Sequence, residues 1–112
     1  QYMQYSIQEL KDLMELALTT AHAAATKRIQ DYGEQFYCGF AWVDIRGVKG
    51  NTKLGRAMKA AGYEQDYTRA FSIWNPSGLG TQCMSTKEAG ARAAAKVFTD
   101  AGFTAYARSR AD

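Results

Sequence analysis

Arg46, Lys49, Lys53, Arg56 and Lys59 lie within the run RGVKGNTKLGRAMK, residues 46–59, with no acid among them. A glycine-bearing turn rich in cations, leading into a helix, can hold an anion, because the first backbone N–H groups of a helix are free and its dipole is positive there. A second glycine-rich stretch, PSGLGTQCM at 76–84, also precedes a predicted helix. Neither stretch has the spacing of a phosphate-binding P-loop or of a dinucleotide fingerprint. The other reactive residue types are scattered. His22 is the one histidine, and no nucleophile–base arrangement or metal-ligand set is legible around it. Asp44, Cys83 and Lys87 are the residues to test first if the chain is a small enzyme. No cofactor or metal is implied, and since no catalytic signature is legible a non-enzymatic role is favoured over an enzyme.

Composition sets bounds on the rest. At 112 residues, 46% hydrophobic and 22% charged, the chain is long enough to bury a core as one domain, expected over 6–112 after a short terminal segment at 1–5. The formal charge is +3, and it is unevenly spread. Residues 1–45 carry three cations and six acids, whereas residues 46–112 carry eleven cations and five acids. Two widely spaced cysteines, Cys38 and Cys83, fit a reduced, intracellular protein. No apolar run approaches a membrane span, and QYMQYS does not read as a signal peptide.

Periodicity supplies the elements that would position these residues. Ser6 and Glu9 form a capping box, followed by an apolar stripe from Ile7 to Tyr32 at helical spacing and a stop at Gly33. Such a helix spans nearly 40 Å, so a bend or an overhanging end is expected, and it offers a surface for pairing with a second copy. FYCGFAWVDI, 36–45, is apolar at almost every position and reads as a central strand covered on both faces, its aromatics mostly core. A short helix is predicted over about 52–61 and a strand over 69–75. A helix capped by Ser85 and Glu88 should run to Ala101, with Gly90 approaching a sheet, and a strand should cover 103–108. Tyr2, Tyr5, Tyr63 and Tyr67 fall in end or loop segments, where tyrosines can anchor interfaces. The fold class is therefore α/β or α+β, in the order α-β-α-β-α-β. If both strand–helix–strand units are parallel crossovers, the three strands point the same way and their C-terminal ends share one rim. That rim would gather Arg46, Lys49, Asn51, Thr52, Lys53, Arg56 and Lys59 from the first connection. It would also gather Trp74, Ser77, Gly78, Gly80, Gln82 and Lys87 from the second, with Arg108 and Arg110 at the chain end. Trp74 would offer a stacking face, Cys38 would be a buried hydrophobe, and Cys38 and Cys83 would lie at opposite edges.

The combination of CGFAWVDI (38–45), the Gln82 loop before a helix, and the ending AYARSRAD (105–112) resembles small accessory proteins encoded by bacterial viruses. The resemblance implies action in the cytoplasm of a bacterial host cell and carries no functional residue with it. Three readings follow. The first is a binder of nucleic acid or of a nucleotide-like, phosphate-bearing molecule through the basic and glycine-rich loops. The second is a protein that inhibits a host machine, such as a defence nuclease. The third is a small enzyme. A nucleic-acid mimic fits less well, since such surfaces are acidic.

Overall fold

The computed structural model describes residues 4–34 and 37–112; Tyr2 and Phe36, read above as an interface tyrosine and the start of a strand, lie outside the described residues. Helix α1 spans Ile7–Tyr32. Its capping box forms as read: the Ser6 Oγ accepts from the Glu9 N–H at 3.0 Å, and the Glu9 carboxylate accepts from the Ser6 N–H at 2.8 Å. Leu10, Ala17, Ala21 and Ala25 are its buried stripe. The last turns overhang. Arg28 lies over the ring of Tyr32, which is exposed, and Lys27 pairs with Asp31.

The remaining elements are β1 (Gly39–Arg46), α2 (Lys53–Ala60), β2 (Glu64–Gln65), β3 (Phe71–Trp74), α3 (Met84–Asp100) and β4 (Thr104–Ala111). They build a four-stranded sheet in the order β2-β3-β1-β4, with every neighbouring pair antiparallel. This corrects the expectation of a three-stranded parallel sheet, and the cause is one short strand. β1 and β2 are mutually parallel and joined through α2, and β3 and β4 are mutually parallel and joined through α3, as strand–helix–strand units predict. However, the β2–β3 hairpin reverses the chain between the two units, so each parallel pair has an antiparallel strand inserted between its members. After α1, the chain is a β-α-β-β-α-β unit of ferredoxin-like topology.

Packing is one-sided. Ala41, Val43 and Ile45 of β1 and Phe71 and Ile73 of β3 join Leu10, Met58, Tyr63, Ala91, Ala94, Phe98 and Phe103 in one buried cluster. α3 packs on β1 and β4, and α1 packs across α3 and α2. Small residues make the helix contact close. A Cβ on Gly90 would stand 2.8 Å from the Ser77 Cβ and 3.3 Å from the Ala21 carbonyl oxygen, so Gly90 admits a loop and α1 rather than the sheet. α3 also begins two residues before the start expected from a Ser85 cap. Cys83 is its N-cap, with no side-chain cap bond, and Glu88 accepts instead from the Ser109 hydroxyl at 2.6 Å. Cys38 and Cys83, expected at opposite edges, are partners in an isolated antiparallel bridge, and Cys38 is exposed rather than buried.

Candidate functional site

Because side chains alternate across a strand, the residues of β1 with the opposite parity to its core set, Phe40, Trp42, Asp44 and Arg46, face away from the helices. Register places Trp42 beside Trp74 of β3 on one side and Arg108 of β4 on the other. It also places Phe40 beside Arg110, and Asp44 between Ser72 and Tyr106. Among the described residues no helix covers this face. β1 is thus central but covered on one side only, which corrects the reading of 36–45 as a strand buried on both faces.

The aromatic rings on the open face form a continuous platform. Trp42 and Trp74 stack with centroids 5.5 Å apart at 19°, and Phe40 sits 5.5 Å from Trp74 at 33°. Trp74 is 57% exposed, and Tyr106, on the same face of β4, is 52% exposed, so aromatic surface on this face is open to solvent. Cations frame it. The Arg110 guanidinium lies 5.5 Å from the Phe40 centroid. Asp44, nearly fully buried, accepts through Oδ2 from Arg46 Nη2 and from Arg108 Nε, both at 3.3 Å. One carboxylate thereby holds two guanidinium groups, each partly exposed, along the edge of the indoles. The other oxygen, Oδ1, is buried and accepts no hydrogen bond among the described residues. Leaving a carboxylate oxygen unpaired is costly, and here that cost is set against the two ion pairs at Oδ2.

The rim inferred from sequence does not assemble. Since β1 runs antiparallel to both neighbours, the loop after it and the loop after β3 emerge at opposite ends of the sheet. At one end, Lys49, Thr52 and Lys53 line a groove of about 780 Å³ with Tyr5, Ser6 and Glu9. Thr52 caps α2, its Oγ accepting from the Gly55 N–H at 3.1 Å, and the Glu9 carboxylate offsets part of the positive charge. Arg56 is engaged with the Asn51 carbonyl, and Lys59 reaches Gly50. At the other end the 75–82 segment satisfies itself. The Ser77 hydroxyl donates to the Asn75 side chain, the Gly78 N–H to the Asn75 carbonyl, and the Gln82 carbonyl accepts from Gly39. Ser77 is buried, Gly78 and Gly80 are exposed, and Gly78 borders a groove of about 530 Å³ beside Trp74 and His22. Lys87 is buried, donates to the Gly39 carbonyl at 2.9 Å and lies 5.2 Å from the Phe40 centroid, so it is held against the platform ring rather than free to meet a ligand. Of the residues singled out from sequence, the structure brings together Arg46, Trp74, Arg108 and Arg110, on the sheet face rather than on a rim. It adds Phe40, Trp42 and Tyr106, which the sequence reading had placed in the core or left unassigned. The signal for them was present: aromatic and charged residues share one parity over 40–46, and Tyr106, Arg108 and Arg110 share one parity in β4.

Among the described residues no group of three or more His, Cys, Asp or Glu side chains could hold a metal ion, and no helix is long and apolar enough to cross a membrane. No protein-family model, curated protein or solved structure matches the chain.

Proposed function

We propose that the open sheet face binds single-stranded nucleic acid, with bases stacking on Trp74, Trp42 and Phe40 and phosphates meeting Arg108, Arg110 and Arg46. The observation that carries this reading is the exposed ring platform on the two central strands, framed by guanidinium groups. Each base has a π-face, and stacking on aromatic side chains is how single strands are held without sequence preference. RNA-recognition modules use the same device, a four-stranded sheet whose aromatics stack two or three bases. A duplex keeps its bases stacked internally and has no ring face to offer. This reading keeps the anionic ligand inferred from sequence and moves its site from the loops to the sheet. It suits the phage accessory role that the sequence resemblance implies.

The test is fluorescence anisotropy with a labelled mixed-sequence oligonucleotide, single-stranded and duplex. Trp74→Ala should weaken single-strand binding by about five- to a hundredfold, the loss of one stacking contact of ~1–3 kcal/mol. The triple change of Lys49, Lys53 and Arg56 to Glu should leave most of the affinity. The opposite pattern, insensitivity to Trp74 with loss in the triple variant, returns the site to the basic loop.

A second reading, docking of a host protein on the same face, is favoured by Asp44, which neutralises part of the charge of two arginines. Buried Trp, Tyr and Arg anchors are typical of protein interfaces. Pairing of two copies through α1 has less support, because its buried stripe is already used against α3.

A further inference from the structure

The two edges of the sheet are unlike. β2 is two residues long, whereas β4 is eight and pairs with β1 without a bulge from Thr104 to Ala111. Proteins usually blunt a long edge with proline, lysine, a bulge or a covering segment, since an open ladder invites another strand. TAYARSRA has no proline, lysine or bulge. Its only charges, Arg108 and Arg110, have the parity of the open face rather than of the outward backbone groups, and residues 106–111 are all exposed among the described residues. The direction of its backbone groups follows from one bond. The Asp112 N–H donates to the Cys38 carbonyl at 3.1 Å, so by alternation the even-numbered residues of β4 bond to β1. The N–H and C=O groups of Ala105, Ala107, Ser109 and Ala111 point outward.

We propose that this edge pairs antiparallel with the same edge of a second copy, with Ala107 on the two-fold axis. The choice of partner and register comes from the strand itself. Pairing must set odd-numbered residues opposite odd-numbered ones for the outward groups to meet. Two such registers overlap nearly the whole strand. A dyad at Arg108 sets that arginine against its own copy, and like charges directly opposite are unfavourable. A dyad at Ala107 instead sets Arg108 opposite Tyr106, where a guanidinium can lie on a ring, and Arg110 opposite Thr104. Hydrogen bonds then form in the pairs Ala105 with Ser109, Ala107 with Ala107, and Ser109 with Ala105. The interface is isologous, each residue finding its counterpart twice. The result is one continuous eight-stranded sheet with both open faces on the same side. Arg108 and Tyr106 of each copy lie along its centre, between the two tryptophan platforms. The pairing needs no ligand and stands apart from the nucleic-acid reading.

Sedimentation velocity of the full chain, from low micromolar to several hundred micromolar, tests it. The wild type should show a concentration-dependent dimer. Ala107→Pro removes the central outward N–H and should be monomeric with an unchanged far-UV circular dichroism spectrum. Should that variant fold poorly, Tyr106→Arg is the surface alternative. It places like charges opposite Arg108 twice per dimer and should raise the dissociation constant at least about tenfold, whereas Tyr106→Glu should hold the dimer or tighten it. A wild type that stays monomeric throughout, or a dimer that survives both folded Ala107→Pro and Tyr106→Arg, overturns the proposal.

Discussion

Tyr63 is buried, and its hydroxyl donates to the Leu10 carbonyl at 2.7 Å, joining the turn after α2 to the first turn of α1. Burial pushes its pKa up from the usual tyrosine value, with a smaller push from Tyr5. The stability it contributes is therefore complete below about pH 10 and is lost as pH rises beyond the ordinary tyrosine pKa. Tyr63→Phe should cost about 1 kcal/mol at neutral pH, the net worth of one buried hydrogen bond, and should flatten the alkaline loss. Urea denaturation of both proteins at pH 7 and pH 10.5 measures the two effects. Sequence placed Tyr63 and Tyr5 in connecting segments with interface potential. In the fold both anchor inward, Tyr5 by donating to the Ala101 carbonyl at 2.6 Å and stacking on Phe103. A tyrosine after a glycine stop looks the same from sequence whether its loop lies on the core or in solvent, because the partner carbonyls are ~50 to ~100 residues away. Phe40 and Trp42 were misread for a different reason. Apolar residues on both parities suggest burial on both faces, and only the charges of Asp44 and Arg46 mark the second face as open.

At the scale of elements, the helices and the three longer strands are legible, since the Ser6 capping box, the glycine stops and the apolar stripes are local signals, whereas the Ser85–Glu88 pair expected to cap α3 does not form a box. The predicted bounds of α1 match the observed Ile7–Tyr32, and of the two outcomes expected for so long a helix, a bend or an overhanging end, the end overhangs. β2 was not legible. Glu64 and Gln65 show no alternation, and their pairing depends on the turn that follows. There Asp66 Oδ1 accepts from the Thr68 hydroxyl and N–H and from the Ala70 N–H. Missing that hairpin inverted the direction of β3 and β4 and separated the expected partners Lys49 and Ser77. The same inversion brought Cys38 to Cys83. The bonds from the Gly39 N–H to the Gln82 carbonyl and from the Met84 N–H to the Tyr37 carbonyl flank the two residues, which makes them a non-hydrogen-bonded antiparallel pair. Such pairs have Cα atoms about 4.5 Å apart, within the range that a disulfide spans. Oxidised glutathione should therefore convert the two thiols to an intramolecular disulfide, with two glutathione thiols released. Closing a ring of that length should stabilise the fold by up to roughly 4 kcal/mol. Intact mass after alkylation should show two hydrogens lost and no alkyl group added, reversed by reductant. Alkylation of both cysteines after oxidation would mean that their side chains diverge.

At the scale of the whole molecule, positive charge is divided between two ends and one face, and salt dependence reports which of them holds a ligand. Each phosphate neutralised on a single strand contributes about 0.7 to the slope of log affinity against log salt. The sheet face offers Arg46, Arg108 and Arg110, two of them already sharing Asp44, so the slope should be no steeper than about −2. The loop cations of the 46–59 run, Lys49, Lys53, Arg56 and Lys59, would give a steeper slope, approaching about −3, if they were the site. The residual affinity at high salt differs as well. Stacking on Trp74 and Trp42 is unscreened, so binding through the face should persist at 0.5 M salt, where an electrostatic loop site would have released its ligand. A titration of single-stranded oligonucleotide from 0.05 to 0.5 M salt, followed by tryptophan fluorescence, separates the two. Quenching with a shallow slope supports the face. A steep slope without quenching excludes it, since a strand held at the Lys49 end does not touch the indoles.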